Sequence, residues 1–236
     1  MTMENDELNA SQSRSPVWVV TVANREPYLA MAAKLEDVVR SLGHTFYIHR
    51  DVGEDTPWQA KRHAVRHAVA KGAGTVYHID ADCEVLDQSV LAGLLIPRTL
   101  GIYTQVVSLR DRLIPGIYWR DLPPGLAERF VARTDCYAYW LRRLGLKDSW
   151  RLSDWFVGYS LPPSIANSLL DCWDEIASDL MTKQITWGDN VSIGLAARAL
   201  GVPVKAEFPV AEVERSLHHL RNGQANGYYV LPTQRP

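Results

Sequence analysis

The chain has 236 residues, 47% of them hydrophobic, and its 25 basic and 27 acidic side chains leave a formal charge of -2. Charge this balanced, with no run of one sign, excludes a partner recruited by a global field, nucleic acid above all, and points to a small-molecule partner. The length suffices for one α/β domain with a sizeable core. Cys83, Cys136 and Cys172 are widely spaced with no CxxC, which supports neither a disulfide framework nor a zinc knuckle and fits a reducing, cytoplasmic setting. The first sixteen residues, MTMENDELNASQSRSP, are polar and lack an apolar core segment, so they read as a mobile tail and not as a signal peptide or anchor. No apolar run approaches the roughly 20 residues that span a bilayer, so no membrane span is expected.

Val17 to Ala23 is a continuous β-branched and aromatic run, the pattern of a strand buried on both faces of a parallel sheet. Asn24 to Pro27 makes a turn, and Pro27 suits the first turn of a helix carrying Met31, Leu35, Val38 and Val39 until Gly43 stops it. Thr45 to His49 is a second strand, Trp58 to Lys71 a second helix closed by Gly72-Ala73-Gly74, and Thr75 to Ile79 a third strand. Beyond it we expect a helix over Val85–Leu95, a strand over Leu100–Ser108, and loops with short helices over Arg110–Asp154. A strand-like piece over Ser153–Ser160, helices over Ser164–Leu180 and Trp187–Gly201, and a last strand over Val202–Phe208 complete the expected order. The β-α-β-α-β opening implies right-handed crossovers and a mostly parallel central sheet flanked by helices, in which ligands collect beyond the carboxyl ends of the strands. The tail occupies 1–16 and one domain 17–236, with a nucleotide-binding part to about residue 110 and an acceptor part after it.

The third strand runs directly into Asp80-Ala81-Asp82. Two carboxylates one residue apart at a strand exit can meet one hard cation from the same side, and Mn²⁺ or Mg²⁺ takes such oxygens together with substrate phosphate oxygens. Asp also serves turns and helix caps, so the position after the third strand is what favours the metal. The stretch Val76-Tyr77-His78-Ile79-Asp80-Ala81-Asp82-Cys83-Glu84-Val85 resembles the DxD segment of GT-A (Rossmann-like) nucleotide-sugar glycosyltransferases. The resemblance implies that Asp80 faces the ribose and donor sugar as well as the metal, with Ala81 beside it, and that Asp82 is the firmer metal ligand. It implies a UDP- or GDP-sugar donor and a hydroxyl acceptor.

Other positions follow from that resemblance. Lys61, on the helix before the DxD strand, is placed near the diphosphate or base; Arg62 and Arg66 read as a solvated helix face. His63 and His67 have helical i,i+4 spacing but lack the Glu of HExxH, so they read as a surface face and not as a zinc pair. Val22, Ala23, Asn24 and Arg25, at the end of the first strand, lie where the family seats base and ribose, although Asn24 also suits a helix cap. Trp187-Gly188-Asp189-Asn190 is similar to a segment of retaining members, the blood-group-type galactosyltransferases and glycogenin-like enzymes, which makes Asp189 and Asn190 catalytic candidates. Asn190 departs from the carboxylate of the blood-group type, and an amide is a poor nucleophile; same-face attack, or inversion with Asp189 as general base, stays open. Trp155-Phe156-Val157-Gly158 resembles the lining of the sugar site, so Trp155 and Gly158 join the donor-binding candidates. A C-terminal His completes the metal site in many members, and here His218 and His219 both qualify, His219 being preferred.

The rivals lack their motifs. No glycine-rich phosphate loop follows the first strand, against a nucleotidyltransferase or a dinucleotide oxidoreductase, and no GxSxG supports a serine hydrolase. The reading is a metal-dependent hexosyltransferase acting with retention; the alternative is a non-catalytic nucleotide-sugar or carbohydrate binder on the same scaffold.

Overall fold

A computed structural model of the chain describes residues 16–53, 60–108, 124–153, 155–183, 189–205 and 209–220. Strand β1 (Val17–Val22) is buried along nearly its whole length, as a β-branched run between two helical layers must be. Helix α1 (Tyr28–Ser41) leads to β2 (Thr45–His49), and α2 (Lys61–Ala70) to β3 (Thr75–Ile79). β1 pairs in parallel with β2 on one side and β3 on the other. The chain therefore winds outward in both directions from β1. Accordingly α1 packs through Leu35 and Val39 on one face of the sheet, with Val17 and Val19, while α2 packs through Ala64, Val65 and Ala68 on the other, with Val20 and Val22. The crevice between the carboxyl ends of β1 and β3 is a topological switch point.

Beyond β3 come β4 (Cys83–Val85), α3 (Gln88–Leu94), β5 (Gly101–Tyr103), β6 (Val106–Ser108), α4 (Pro124–Arg143), β7 (Trp150–Leu152) and β8 (Phe156–Ser160). After them follow α5 (Pro163–Thr182), α6 (Asp189–Ala199), β9 (Val204–Lys205), α7 (Val210–Ser216) and β10 (Leu217–His219). The main sheet has the order β2-β1-β3-β8-β5-β9. β8 is antiparallel to both neighbours, and β5 and β9 return to the parallel sense. This is the mostly parallel sheet, flanked by helices, that the sequence implies.

Several expected elements are redrawn. The helix expected over Val85–Leu95 starts only at Gln88, because the Asp87 carboxylate caps it by accepting from the Ser89 and Val90 N–H groups at 2.9 and 3.1 Å, and Val85 belongs to β4. The strand expected over Leu100–Ser108 divides: β5 stays in the main sheet while β6 pairs with β7. Within Arg110–Asp154, read as loops and short helices, lies the 20-residue helix α4. Its Cys136, Tyr137, Trp140 and Leu141 are buried at helical spacing. α7 and β10 had no counterpart in the sequence reading, and 206–208 of the last expected strand lie outside the described residues, as does the N-terminal tail apart from Pro16.

One close approach locks α6 to β7. A Cβ at Gly194 would sit 1.9 Å from the Trp150 carbonyl oxygen, so only glycine lets the helix lie against that strand. We expect Gly194→Ala to cost about 2–3 kcal/mol by overpacking, read as a lower midpoint in urea unfolding.

Two histidines make the fold sensitive to acid. Burial holds the His44 and His49 imidazoles below their ordinary value, and for His49 the nearby His63 adds to the effect. A histidine with a depressed folded pKa stabilises the fold fully above the unfolded value, about 6.5. That contribution is lost as pH falls from there through the folded value. Thermal midpoints should therefore drop on acidification below about 6.5, and His49→Gln should make that decline shallower in a pH series of melting curves.

Candidate metal centre

Asp80 leaves β3 at the switch-point crevice with its backbone held on both sides. Its N–H donates to the Trp155 carbonyl at 2.9 Å, continuing the β3–β8 ladder by one residue, and its own carbonyl accepts from the Cys83 N–H at 3.2 Å. The chain reverses over Ala81 and Asp82 into β4. Ala81 is buried with Ala23 and Ala32, three small side chains that let this turn, the end of β1 and α1 come close together.

The third component arrives from the other end of the chain. β10 pairs antiparallel with β4, setting His219 opposite Cys83 and His218 opposite Glu84, and the Leu220 N–H donates to the Asp82 carbonyl at 2.9 Å. Alternation along β10 then decides between the two histidines. His219 Nε2 lies 3.2 Å from Asp82 Oδ1 and 3.6 Å from Asp80 Oδ2, while His218 is exposed on the opposite face. Asp80, Asp82 and His219 present ligand atoms all within 4.8 Å of one another.

These residues fit Mn²⁺ or Mg²⁺. Two carboxylates and one imidazole are acceptable donors for a hard or borderline dication. Adjacent ligands on an octahedral ion with bonds near 2.1 Å lie about 3.0 Å apart, close to the separations from His219 to the two carboxylates. The remaining coordination positions would be left to water or substrate oxygens.

Lys61, the first residue of α2, is 5% exposed and its ammonium lies 2.9 Å from Asp80 Oδ1. Asp80 thus uses one oxygen to neutralise a buried cation and turns the other toward His219. Below it, on the same face of β3 as Val76, is His78, 1% exposed, with Nε2 3.7 Å from Asp80 Oδ1. Burial first, and the Lys61 charge second, hold this imidazole well below its ordinary pKa, so it stays neutral. Burial also pushes the Cys83 thiol well up, with Asp80 and Asp82 adding to the effect; a thiol so placed is protonated and inert.

The other candidates fall in three groups. Val22 and Ala23 are buried at the end of β1, the Ala23 N–H donating to the His49 carbonyl at 3.0 Å, and Asn24 and Arg25 are exposed just beyond, at the mouth of the same crevice. Trp155 stacks on His219 with its ring plane 3° from the imidazole and centroids 5.6 Å apart. Gly158 lies inside the sheet, where a Cβ would come within 2.9 Å of the Tyr77 ring; its glycine is explained by strand packing. Asp189 and Asn190 open α6, but their side chains, like Trp187 and Gly188, lie outside the described residues. Arg62 and Arg66 do not form a solvated face: both pair with Asp174 of α5, Arg66 at 2.5 Å, and Arg66 also with Asp171 at 3.0 Å. His67 stacks on Tyr47 with centroids 3.9 Å apart, which accounts for it as packing. His78 escaped the sequence reading, although strand alternation from Val76 was the signal that could have found it.

No family model matches the chain, and no curated protein matches it. Among solved structures it is similar to a glycosyltransferase involved in the glycosylation of the major capsid of PBCV-1, at 9% identity and TM-score 0.48, over 89% of this chain and 97% of that one. It is also similar to a mannose-1-phosphate geranyltransferase from Thermus thermophilus, at 14% identity and TM-score 0.32, over 80% and 68% of the two chains. Likeness at this level carries no weight for function, which rests on the site's own geometry.

Asp80 supplies the carboxylate 2.9 Å from a buried ammonium. Neutralising one partner of such a pair is expensive. Asp80→Asn in metal-free protein should lose about 3 kcal/mol, measured by denaturant unfolding at neutral pH.

Proposed function

We propose that the chain is a metal-dependent glycosyltransferase of the GT-A type, built on one domain over 17–236, which moves a hexose from a UDP- or GDP-sugar to a hydroxyl acceptor. The observation that carries this reading is the convergence of Asp80, Asp82 and His219 at the switch-point crevice, with ligand atoms within 4.8 Å of one another. Such a crevice is where α/β sheets bind nucleotides.

Charge supports an anionic substrate. Asp80 and Asp82 against Lys61 leave one net negative charge among the acidic and lysine side chains, and a bound dication would turn it positive, complementary to a diphosphate. The cation, when bound, offsets the charge that develops on the departing diphosphate. Asp82 and His219 would hold it, with Asp80 sharing in the hold and facing the ribose and sugar, while Lys61, 2.9 Å from Asp80 Oδ1, keeps Asp80 in place and would add positive charge on the phosphate side. Val22, Ala23, Asn24 and Arg25 line the nucleoside end of the crevice.

Asp189 and Asn190, at the start of α6, are the catalytic candidates on the acceptor side. The likeness of Trp187-Gly188-Asp189-Asn190 to the retaining families supports retention. Because the Asn190 amide is a poor nucleophile, the acceptor hydroxyl attacks from the face on which the bond from the sugar carbon to the diphosphate oxygen breaks, with Asp189 orienting it and its proton passing to the departing diphosphate.

The direct test is incubation with Mn²⁺ and a panel of UDP- and GDP-sugars, following release of the nucleoside diphosphate. We expect slow Mn²⁺-dependent hydrolysis of one donor, abolished by chelation, with Asp82→Ala losing metal-dependent donor binding while keeping its circular dichroism. Binding without turnover across the panel and a set of sugar acceptors would favour the non-catalytic binder, and a wild-type chain that binds no donor would sink the proposal.

A further inference from the structure

His219 is the component of the site whose placement is least determined by the main sheet. It sits on a strand of three residues, paired among the described residues with the equally short β4, and a two-stranded unit this short is marginal by itself. Its ring nevertheless presents Nε2 to both carboxylates, at 3.2 and 3.6 Å. Backbone pairing sets where the Cα lies, whereas the plane of the imidazole needs a further constraint.

Trp155 is in position to supply it. The two rings are parallel to within 3° at a centroid separation of 5.6 Å, an offset stack of the kind aromatic pairs prefer. The indole is itself anchored twice. Its residue's carbonyl accepts the Asp80 N–H at 2.9 Å, so it moves with the carboxylate loop. Its ring meets Phe156 edge-on at 6.4 Å, and Phe156 packs in turn on Tyr77 within the sheet. A row of aromatic rings therefore runs from the sheet core to the third ligand. The face of Trp155 turned to His219 is engaged in that stack, which separates this role from that of a sugar platform on the same face.

We propose that Trp155 is a positioning residue for the metal centre, fixing the ring plane of His219 so that its Nε2 is held against Asp80 and Asp82 before any ion arrives. The inference rests on the metal reading above and deepens it: Trp155 acts through His219 and need not touch the ion or the donor. Groups that orient a ligand from behind commonly change metal affinity by about 10-fold or more when removed.

The experiment compares Trp155→Phe, which keeps an aromatic face, with Trp155→Leu, which keeps apolar bulk without one. Two readouts need no turnover: the ring-current shift of the His219 imidazole protons in metal-free protein, assigned with His219→Gln, and Mn²⁺ affinity by calorimetry. The wild-type protons should be shifted upfield. Trp155→Leu should lose that shift and bind Mn²⁺ about 10-fold more weakly, with unchanged circular dichroism, while Trp155→Phe restores most of both. Wild-type affinity in Trp155→Leu, equal losses in the Phe and Leu variants, or wild-type His219 protons without an upfield shift would each overturn the proposal. A wild-type chain that shows the shift but binds no Mn²⁺ overturns the metal reading itself, leaving the stack as packing. That outcome is distinguished by the wild-type titration alone.

Discussion

The two oxygens of Asp80 face in different directions, and much of the site follows from that division. Oδ1 lies against the buried Lys61 ammonium, and Oδ2 faces His219. Without Lys61 the crevice would gather two carboxylates one residue apart with less to offset their repulsion. Without Asp80 a lysine with 7% of its side chain exposed would sit in a medium that strongly disfavours its charge. Each makes the other tolerable, and together they leave Asp82 and one oxygen of Asp80 directed at the histidine.

The backbone serves the same end. The loop after β3 is fastened by the Asp80 N–H to Trp155, by the Asp80 carbonyl to Cys83 and by the Asp82 carbonyl to Leu220, so the turn carrying both carboxylates is tied to the residue leading into β8, to β4 and to the residue after β10 at once. Ligands mounted on a framework with so few free torsions meet a cation with little rearrangement, which is the structural meaning of preorganisation. The antiparallel β8 matters here: because it runs against β3, its start rather than its end lies at the crevice, and that is what brings Trp155 beside Asp80.

On the proposed reading, the division of labour is asymmetric across the crevice. The β1 side presents Asn24 and Arg25 to the nucleoside, the β3 side presents the carboxylates, and the C-terminal strand closes the set with His219. The neutral His78 and the protonated Cys83 beneath contribute no charge of their own. The balance at the site is therefore set by Asp80, Asp82, Lys61, His219 and whatever they bind.

The amino-acid sequence by itself determined the opening half of the sheet and the acidic pair at its exit. Val17–Ala23 and Thr75–Ile79 are apolar runs of strand length with helical patterns between them, and the parallel winding follows from those local signals. Asp80 and Asp82 were legible because their spacing and their place after a strand are both properties of adjacent residues. Helix α4 was obscured by its Trp-, Tyr- and Arg-rich composition, and the strands β4 and β10 are too short to show a period. Only the tertiary structure decided that His219 and not His218 turns inward, that Lys61 pairs with Asp80, and that Trp155 lies on the histidine. Each of these joins residues from 19 to 139 positions apart in the chain, and nothing local to either partner records such a contact: it comes from the seating of α2 on the sheet, the register of a three-residue ladder and the direction of one antiparallel strand, which tertiary packing sets.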